Sequence, residues 1–329
     1  MSAEITESQG TTAVKDSGGA TVAVAVADAP VMEFAEAVAL GLAKFGVVLG
    51  WAPGRDGNLA PAFARSAEQA SALAFGPSAV FNPARYVRDH TPCAVVAKPC
   101  DTRSLVQMMS ENMLDRDEVF VIGLRCPGVA DMKKVVERYG WGARVEQVGP
   151  DWLVNGDKAD KADLLDARCR ACLRREPVIA DVVVGEPVTP PAEAERFTGL
   201  PESMAERGAF WEAEFGKCIR CYACRNACPL CYCQDVCVAQ ARQPHWLTDE
   251  ATPAENWMWQ MIRMAHLAGR CTQCGECNRA CPVDIRLDLL TQELGDTARE
   301  LFDYEAGLDP GQKAPFVTYD KERDEWPIR

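Results

Sequence analysis

The chain has 329 residues, 48% hydrophobic and 25% charged, a composition that can bury a core and is incompatible with disorder throughout. Its net charge of −13 leaves no electrostatic footprint for nucleic acid or for an anionic membrane surface. The most apolar stretch, 21–51, is broken by Asp28, Glu33, Glu36 and Lys44, so no transmembrane helix and no direct membrane insertion is expected. Sixteen cysteines stand out against this ordinary background. The start, Met1-Ser2-Ala3-Glu4, has neither the basic nor the apolar region of an export signal, so a cytoplasmic chain is expected. Cysteines in a reducing compartment point to metal or redox chemistry rather than to disulfides.

Residues 1–30 are rich in Ala, Thr, Ser, Gly and Val without periodicity and read as a disordered tail. From Val31 the pattern turns periodic. Phe34, Ala35, Val38, Ala39 and Leu42 recur at helical spacing, and Phe45 to Trp51 is a short apolar run fit for a strand. Ser66 to Leu73 reads as a helix and Ala94 to Ala97 as a buried strand. Asp101 to Leu114 is amphipathic, with Leu105, Met108, Met109 and Met113 on one core-facing side. Val119–Leu124 is a second buried strand, Asp131–Tyr139 a helix, and Val182–Val184 the last strand. Strand–helix alternation predicts an α/β domain over 31–186 with a mainly parallel sheet. A Pro- and Glu-containing stretch over 187–210 reads as a linker, residues 211–303 as a cysteine-dense, α-rich domain, and 304–329 as an acidic C-terminal strap.

Eleven of the cysteines lie between Cys218 and Cys281. Cys218-x2-Cys221-x2-Cys224-x3-Cys228-Pro229 and Cys271-x2-Cys274-x2-Cys277-x3-Cys281-Pro282 repeat one pattern, that of bacterial ferredoxins with two 4Fe–4S clusters. Three thiolates in a tight loop can face three irons of one cube, while the fourth points away and reaches the partner cube. One cluster is therefore assigned to Cys218, Cys221, Cys224 and Cys281, the other to Cys271, Cys274, Cys277 and Cys228. Zinc needs paired C-x2-C ligands and has no use for a third cysteine two residues on, nor for two terminal Cys-Pro steps. Trp257 to Ala265 and Ile285 to Leu301 read as helices that shield the clusters from water, and His266 as a packing residue. Cys231, Cys233 and Cys237 show no evident fourth ligand. They read as free thiols packed near the clusters, with ligation of a further iron centre or the seating of a partner's cluster as alternatives.

Cys100 and Cys126 each follow a predicted parallel strand, where open α/β sheets keep their sites. Together with the pair Cys169-x2-Cys172 they would make four ligands; unlinked buried thiols are the alternative reading, and Cys93 reads as a buried hydrophobe. The segments Ala97-Lys98-Pro99-Cys100-Asp101, Val121-Ile122-Gly123-Leu124-Arg125-Cys126 and Cys169-x2-Cys172 followed by Ala180-Asp181-Val182-Val183-Val184-Gly185 carry a family resemblance. Over roughly 35–186 the chain resembles the beta subunits of hydrogenases and formate dehydrogenases that use coenzyme F-420. That resemblance implies a third 4Fe–4S cluster on Cys100, Cys126, Cys169 and Cys172 beside a flavin, FAD. It also implies partner subunits of a redox complex such as a formate dehydrogenase, a hydrogenase or a heterodisulfide-reductase-like complex. In the family the ferredoxin module usually precedes this domain; here it follows.

The sequence has no G-x-G-x-x-G, P-loop, H-E-x-x-H or G-x-S-x-G, and its three histidines are scattered. No acid/base pair stands out and no catalytic residue is assigned. The expected function is an iron–sulfur electron-transfer subunit of a cytoplasmic anaerobic oxidoreductase complex. The alternatives are a flavin-dependent oxidoreductase exchanging hydride with coenzyme F-420 or a nicotinamide, and a zinc-binding scaffold without redox chemistry.

Overall fold

The computed structural model describes residues 29–231, 233, 236–237, 247–248 and 250–319. Nearly all of the tail expected over 1–30, the end of the strap, and much of the stretch around Cys233 and Cys237 lie outside the described residues.

The N-terminal part is an α/β domain. Its elements are α1 (Phe34–Phe45), β1 (Val48–Pro53), β2 (Leu59–Ala64), α2 (Ala67–Ser71), α3 (Ala84–Val87), β3 (Cys93–Ala97), α4 (Pro99–Ser110), β4 (Val119–Leu124) and α5 (Met132–Tyr139). After these come β5 (Val145–Val148), β6 (Asp151–Val154), β7 (Asp157–Ala159), α6 (Lys161–Leu164), α7 (Ala167–Arg170) and β8 (Val182–Val184). The main sheet has the order β2-β1-β3-β4-β8. β1, β3, β4 and β8 run parallel, and only the edge strand β2 is antiparallel.

The central strands are buried along their whole length, as parallel strands covered on both faces must be. Side chains alternate across the sheet with the two-residue period of a strand. Ala94, Val96 and Ile122 pack with Ala37 and Val38 of α1 on one face. Cys93, Val95, Ala97 and Val121 pack with Leu105, Met108 and the partly buried Met109 and Met113 on the other. The methionine stripe is thus core, as its spacing indicates.

Two antiparallel features arise that the strand–helix alternation did not indicate. β2 reads Leu-Ala-Pro-Ala-Phe-Ala, a weak strand sequence whose Pro61 is tolerated because the strand is at the edge. β5, β6 and β7 form a separate three-stranded sheet closed over Trp152. Its β6–β7 turn is Asn155-Gly156, with φ 53° and 92°, the left-handed pair that a two-residue hairpin requires.

Gly123 in β4 lets the segment before β8 lie directly on the sheet. A Cβ there would stand 2.8 Å from the Ala180 Cβ and 2.8 Å from the Pro177 Cγ. Gly123→Ala is expected to cost about 1–3 kcal/mol, the usual range for overpacking a filled core. Thermal unfolding followed by circular dichroism reads it as a lowered midpoint; an unchanged midpoint would show that the segment moves aside freely.

The C-terminal part is helical: α8 (Met204–Gly216), α9 (Ala223–Ala227), α10 (Pro253–Leu267), α11 (Glu276–Ala280) and α12 (Leu287–Phe302). α8 starts inside the stretch expected to be linker, with Ser203 capping it through a hydrogen bond from the Glu206 amide. The linker residues before it are held along α12: the Phe197 amide donates to Gln292, which donates back to the Phe197 carbonyl. Leu230, Cys228 and Leu267 join the core on the α4 face of the sheet, so the helical part is seated against the α/β part. Arg270 grips Glu111 through two hydrogen bonds of 2.7 and 2.6 Å, and Lys133 donates to the Cys281 carbonyl. Beyond α12, the Tyr304 hydroxyl donates to Gln107 and the Ala306 carbonyl accepts from Arg103, which ties the first part of the strap to α4. Among the described residues no helix is long and apolar enough to cross a membrane.

Candidate iron–sulfur centres

The two cysteine runs fold alike, residue for residue. In the first, Arg220 and Tyr222 have φ 55° and 61°; in the second, Gln273 and Gly275 have φ 56° and 74°. Left-handed backbone at three non-glycine positions costs roughly 1–3 kcal/mol each, so the rest of the structure must impose it. The turn brings an amide onto the first sulfur of each run: Arg220 and Gln273 donate to Cys218 and Cys271, each at 3.4 Å. Each run then enters a five-residue helix, α9 or α11, which carries the third cysteine. The fourth stands just past the helix end, where its extended backbone turns it toward the other run.

The outcome is two cavities with crossed walls. One is lined by Cys218, Cys221 and Cys224 of the first run and by Cys281 of the second. The other is lined by Cys271, Cys274 and Cys277 of the second and by Cys228 of the first. α10 and α12 wall both cavities, Trp259, Gln260 and Leu287 at the first and Arg263, Leu267 and Thr291 at the second. Burial pushes the thiols of Cys224 and Cys271 up to about 12, and Cys274 well above its ordinary range. Donor sets of this kind hold their charge only with a cationic centre among them.

The donor chemistry fits sulfide-containing clusters. Among the described residues no three His, Cys, Asp or Glu are gathered closely enough to hold one metal ion. The sulfurs stand on cavity walls instead of converging to about 2.3 Å of a point, as a zinc site requires. The buried Trp259 indole N–H has no hydrogen-bond partner among the described residues, although the residue lines the first cavity. Cluster sulfur is the kind of acceptor such a donor lacks.

Residues 214–285 match the family model of the 4Fe-4S dicluster domain. The chain carries a 4Fe–4S dicluster domain. The match begins in α8, takes in both cysteine runs and stops just short of α12. The chain is similar to the F-420-dependent formate dehydrogenase subunit beta of Methanocaldococcus jannaschii, at 24% identity over 293 residues, covering 69% of this chain and 76% of that one. It is likewise similar to the F-420-dependent formate dehydrogenase 1 subunit beta of Methanococcus maripaludis, at 24% over 294 residues, covering 68% and 75%.

Of the thiols around the dicluster domain, Cys231 packs partly buried against the sheet core and shares a hydrogen bond with Cys228. That bond, with burial, pushes the Cys228 thiol well up, and the same bond draws the Cys231 thiol down against its burial. Cys237 is half-buried against the dicluster core, whereas Cys233 is exposed. His266 is exposed on α10, so the packing role expected of it is not met.

In the α/β part, Cys100 lies in the first turn of α4, at the carboxyl end of β3, and Cys126 follows the adjacent parallel strand β4. Cys169 lies in α7 and accepts from the Val129 amide at 3.4 Å. The Cys126 amide donates to the Arg175 carbonyl, and Arg175 donates to the Cys169 carbonyl. Burial, then the neighbouring Cys169, pushes the Cys126 thiol up to about 12; burial, Asp101 and Cys126 act the same way on Cys100. Cys172 is half-buried and its thiol donates to the Arg174 carbonyl at 3.1 Å. Cys93 is buried in the sheet core, away from these.

Several charged residues at these sites had escaped the sequence reading. Lys98 is buried with Asp101 at 3.0 Å and with its ammonium 4.0 Å from the centre of the Trp51 ring. Arg168, one residue before Cys169, donates to the Cys274 carbonyl at 2.7 Å and to Glu276 at 2.8 Å, and so joins the α/β cysteines to the dicluster domain. Gly275 makes room for it, since a Cβ there would meet the Arg168 Cδ at 2.7 Å. On α10, Asn256, Gln260 and Arg263 recur at helical spacing on the buried face. Polar residues placed where an amphipathic helix should be apolar were the available signal.

Proposed function

We propose that this chain is the iron–sulfur electron-transfer subunit of an oxidoreductase complex. The observation that carries the proposal is the crossed lining of the two cavities by the two cysteine runs. Cys218, Cys221, Cys224 and Cys281 would hold one 4Fe–4S cluster, and Cys271, Cys274, Cys277 and Cys228 the other. Cys100, Cys126, Cys169 and Cys172 would hold a third at the strand ends. When bound, such clusters take up and release single electrons. The chain's own residues orient the sulfurs, exclude water through α10 and α12, and fix the distance between centres. Arg168 would set the third site against the second cavity, giving a continuous route from the α/β domain into the dicluster domain. Residues 31–186 and 211–303 are then the two working domains.

The relatives are named as formate dehydrogenase beta subunits, which supports partner subunits of a redox complex. Their names also carry the coenzyme F-420, which favours a second reading in which a flavin on the α/β domain exchanges hydride with that coenzyme.

The test is iron, acid-labile sulfide, zinc and flavin per chain on protein purified without oxygen. About 12 iron with matching sulfide is expected for three clusters, and about 8 would remove the third. One flavin per chain would favour the second reading. Zinc without labile sulfide would overturn both.

A further inference from the structure

A buried cation without a carboxylate is costly, because desolvation of its charge is not repaid by an ion pair. Five cationic residues of the described chain are buried: Lys98, Arg103, Arg175, Arg220 and Arg263. Lys98 pairs with Asp101, Arg103 with Glu305 and Arg220 with Glu255. Arg175 and Arg263 have no carboxylate partner among the described residues, and both keep a buried Nε without a hydrogen-bond partner. Both stand at cysteine sites.

Arg263 is the stronger case. It is 3% exposed, lines the cavity of the second cysteine run, and donates from Nη2 to the carbonyl of Cys224 in the first run at 3.1 Å. One guanidinium therefore touches the walls of both sites. Among the described residues no carboxylate pairs with it, and the groups nearest its charge are the cysteines themselves, Cys277 and Cys224 foremost. A 4Fe–4S cube held by four thiolates carries net negative charge in either redox state and gains a further unit when reduced.

We propose that Arg263 is the shared counter-charge of the two dicluster sites, a positioning residue that favours their reduced states and eases the second electron into the domain. This inference rests on the reading of both cavities as 4Fe–4S sites. Reduction adds one electron to each cluster, taken from dithionite in the test below, and Arg263 forms and breaks no bond.

The experiment compares the full-length chain with Arg263→Met, which keeps the bulk and removes the charge, and with Arg263→Lys, which keeps the charge. Iron and labile sulfide are measured first, and then both midpoint potentials by electron paramagnetic resonance during a dithionite titration. Arg263→Met should keep its iron and make both reductions at least tenfold less favourable, which is about 59 mV for one electron. Arg263→Lys should stay near the wild type.

Full iron with unchanged midpoints in Arg263→Met would overturn the proposal. If Arg263→Met fails to hold its clusters, Arg263→Lys decides. Retained iron and potentials there would uphold the charge, whereas equal loss of iron would reduce Arg263 to a structural hydrogen bond and overturn the proposal. A wild-type chain without iron or sulfide would instead sink the underlying reading.

Discussion

Cys281→Ala is expected to empty the site of the first cysteine run, and Cys228→Ala that of the second. Each variant should lose about four of the dicluster domain's roughly eight irons with the matching sulfide. The paired expectation follows from the crossed walls, in which each run's last cysteine faces the other run's cavity. A double variant distinguishes this from ligation within each run. Cys224→Ala combined with Cys281→Ala should lose no more iron than either alone, because both belong to one site. If each run held its own cluster, that double variant would lose both. Spectra of the remaining cluster in Cys281→Ala should match those of Cys224→Ala and differ from those of Cys228→Ala. The iron content of the double variant is the deciding number.

Cys126→Ala is expected to lower iron by about four per chain while leaving both dicluster signals in place. Cys126 is buried beside Cys169, and its backbone is held through Arg175, so the substitution removes a sulfur without removing a surface contact. Truncating one small buried side chain costs little stability beside the loss of a cluster, and folding can be checked independently by the thermal midpoint. Cys93→Ala is the matched control, since Cys93 is as deeply buried but packs in the sheet core. Its iron content should equal that of the wild type. An equal iron content in Cys126→Ala would leave the α/β domain without a cluster and confine electron transfer to the dicluster domain.

Much of this architecture was readable before any coordinates. β4 coincides with the apolar run Val119–Leu124, and β8 with Val182–Val184, because a strand buried on both faces needs an unbroken run of apolar residues. The helix α10 was readable from Trp257 to Ala265 through its periodicity, with only its ends displaced. β2 escaped because an Ala-rich edge strand is specified by its partner β1 more than by its own side chains. The three-stranded sheet over Trp152 escaped because its strands are only three or four residues long, too short to show a period.

The same division runs through the sites. Cluster ligation demands thiolates at fixed short spacings along one turn, so the eight cysteines of the dicluster domain announce their chemistry in the order of the residues alone. Charge compensation makes no such local demand. Arg263 lies tens of residues from Cys224 in the chain and meets it only because α10 folds back over both runs. Arg168 reaches the second run from another domain, and Lys98, which finds Asp101 only three residues on, meets Trp51 only once β3 and β1 pair. Ligand identity is a short-range property carried by residue order, whereas the burial and neighbouring charge that govern a centre's potential arise between distant segments, and only the folded chain brings those together.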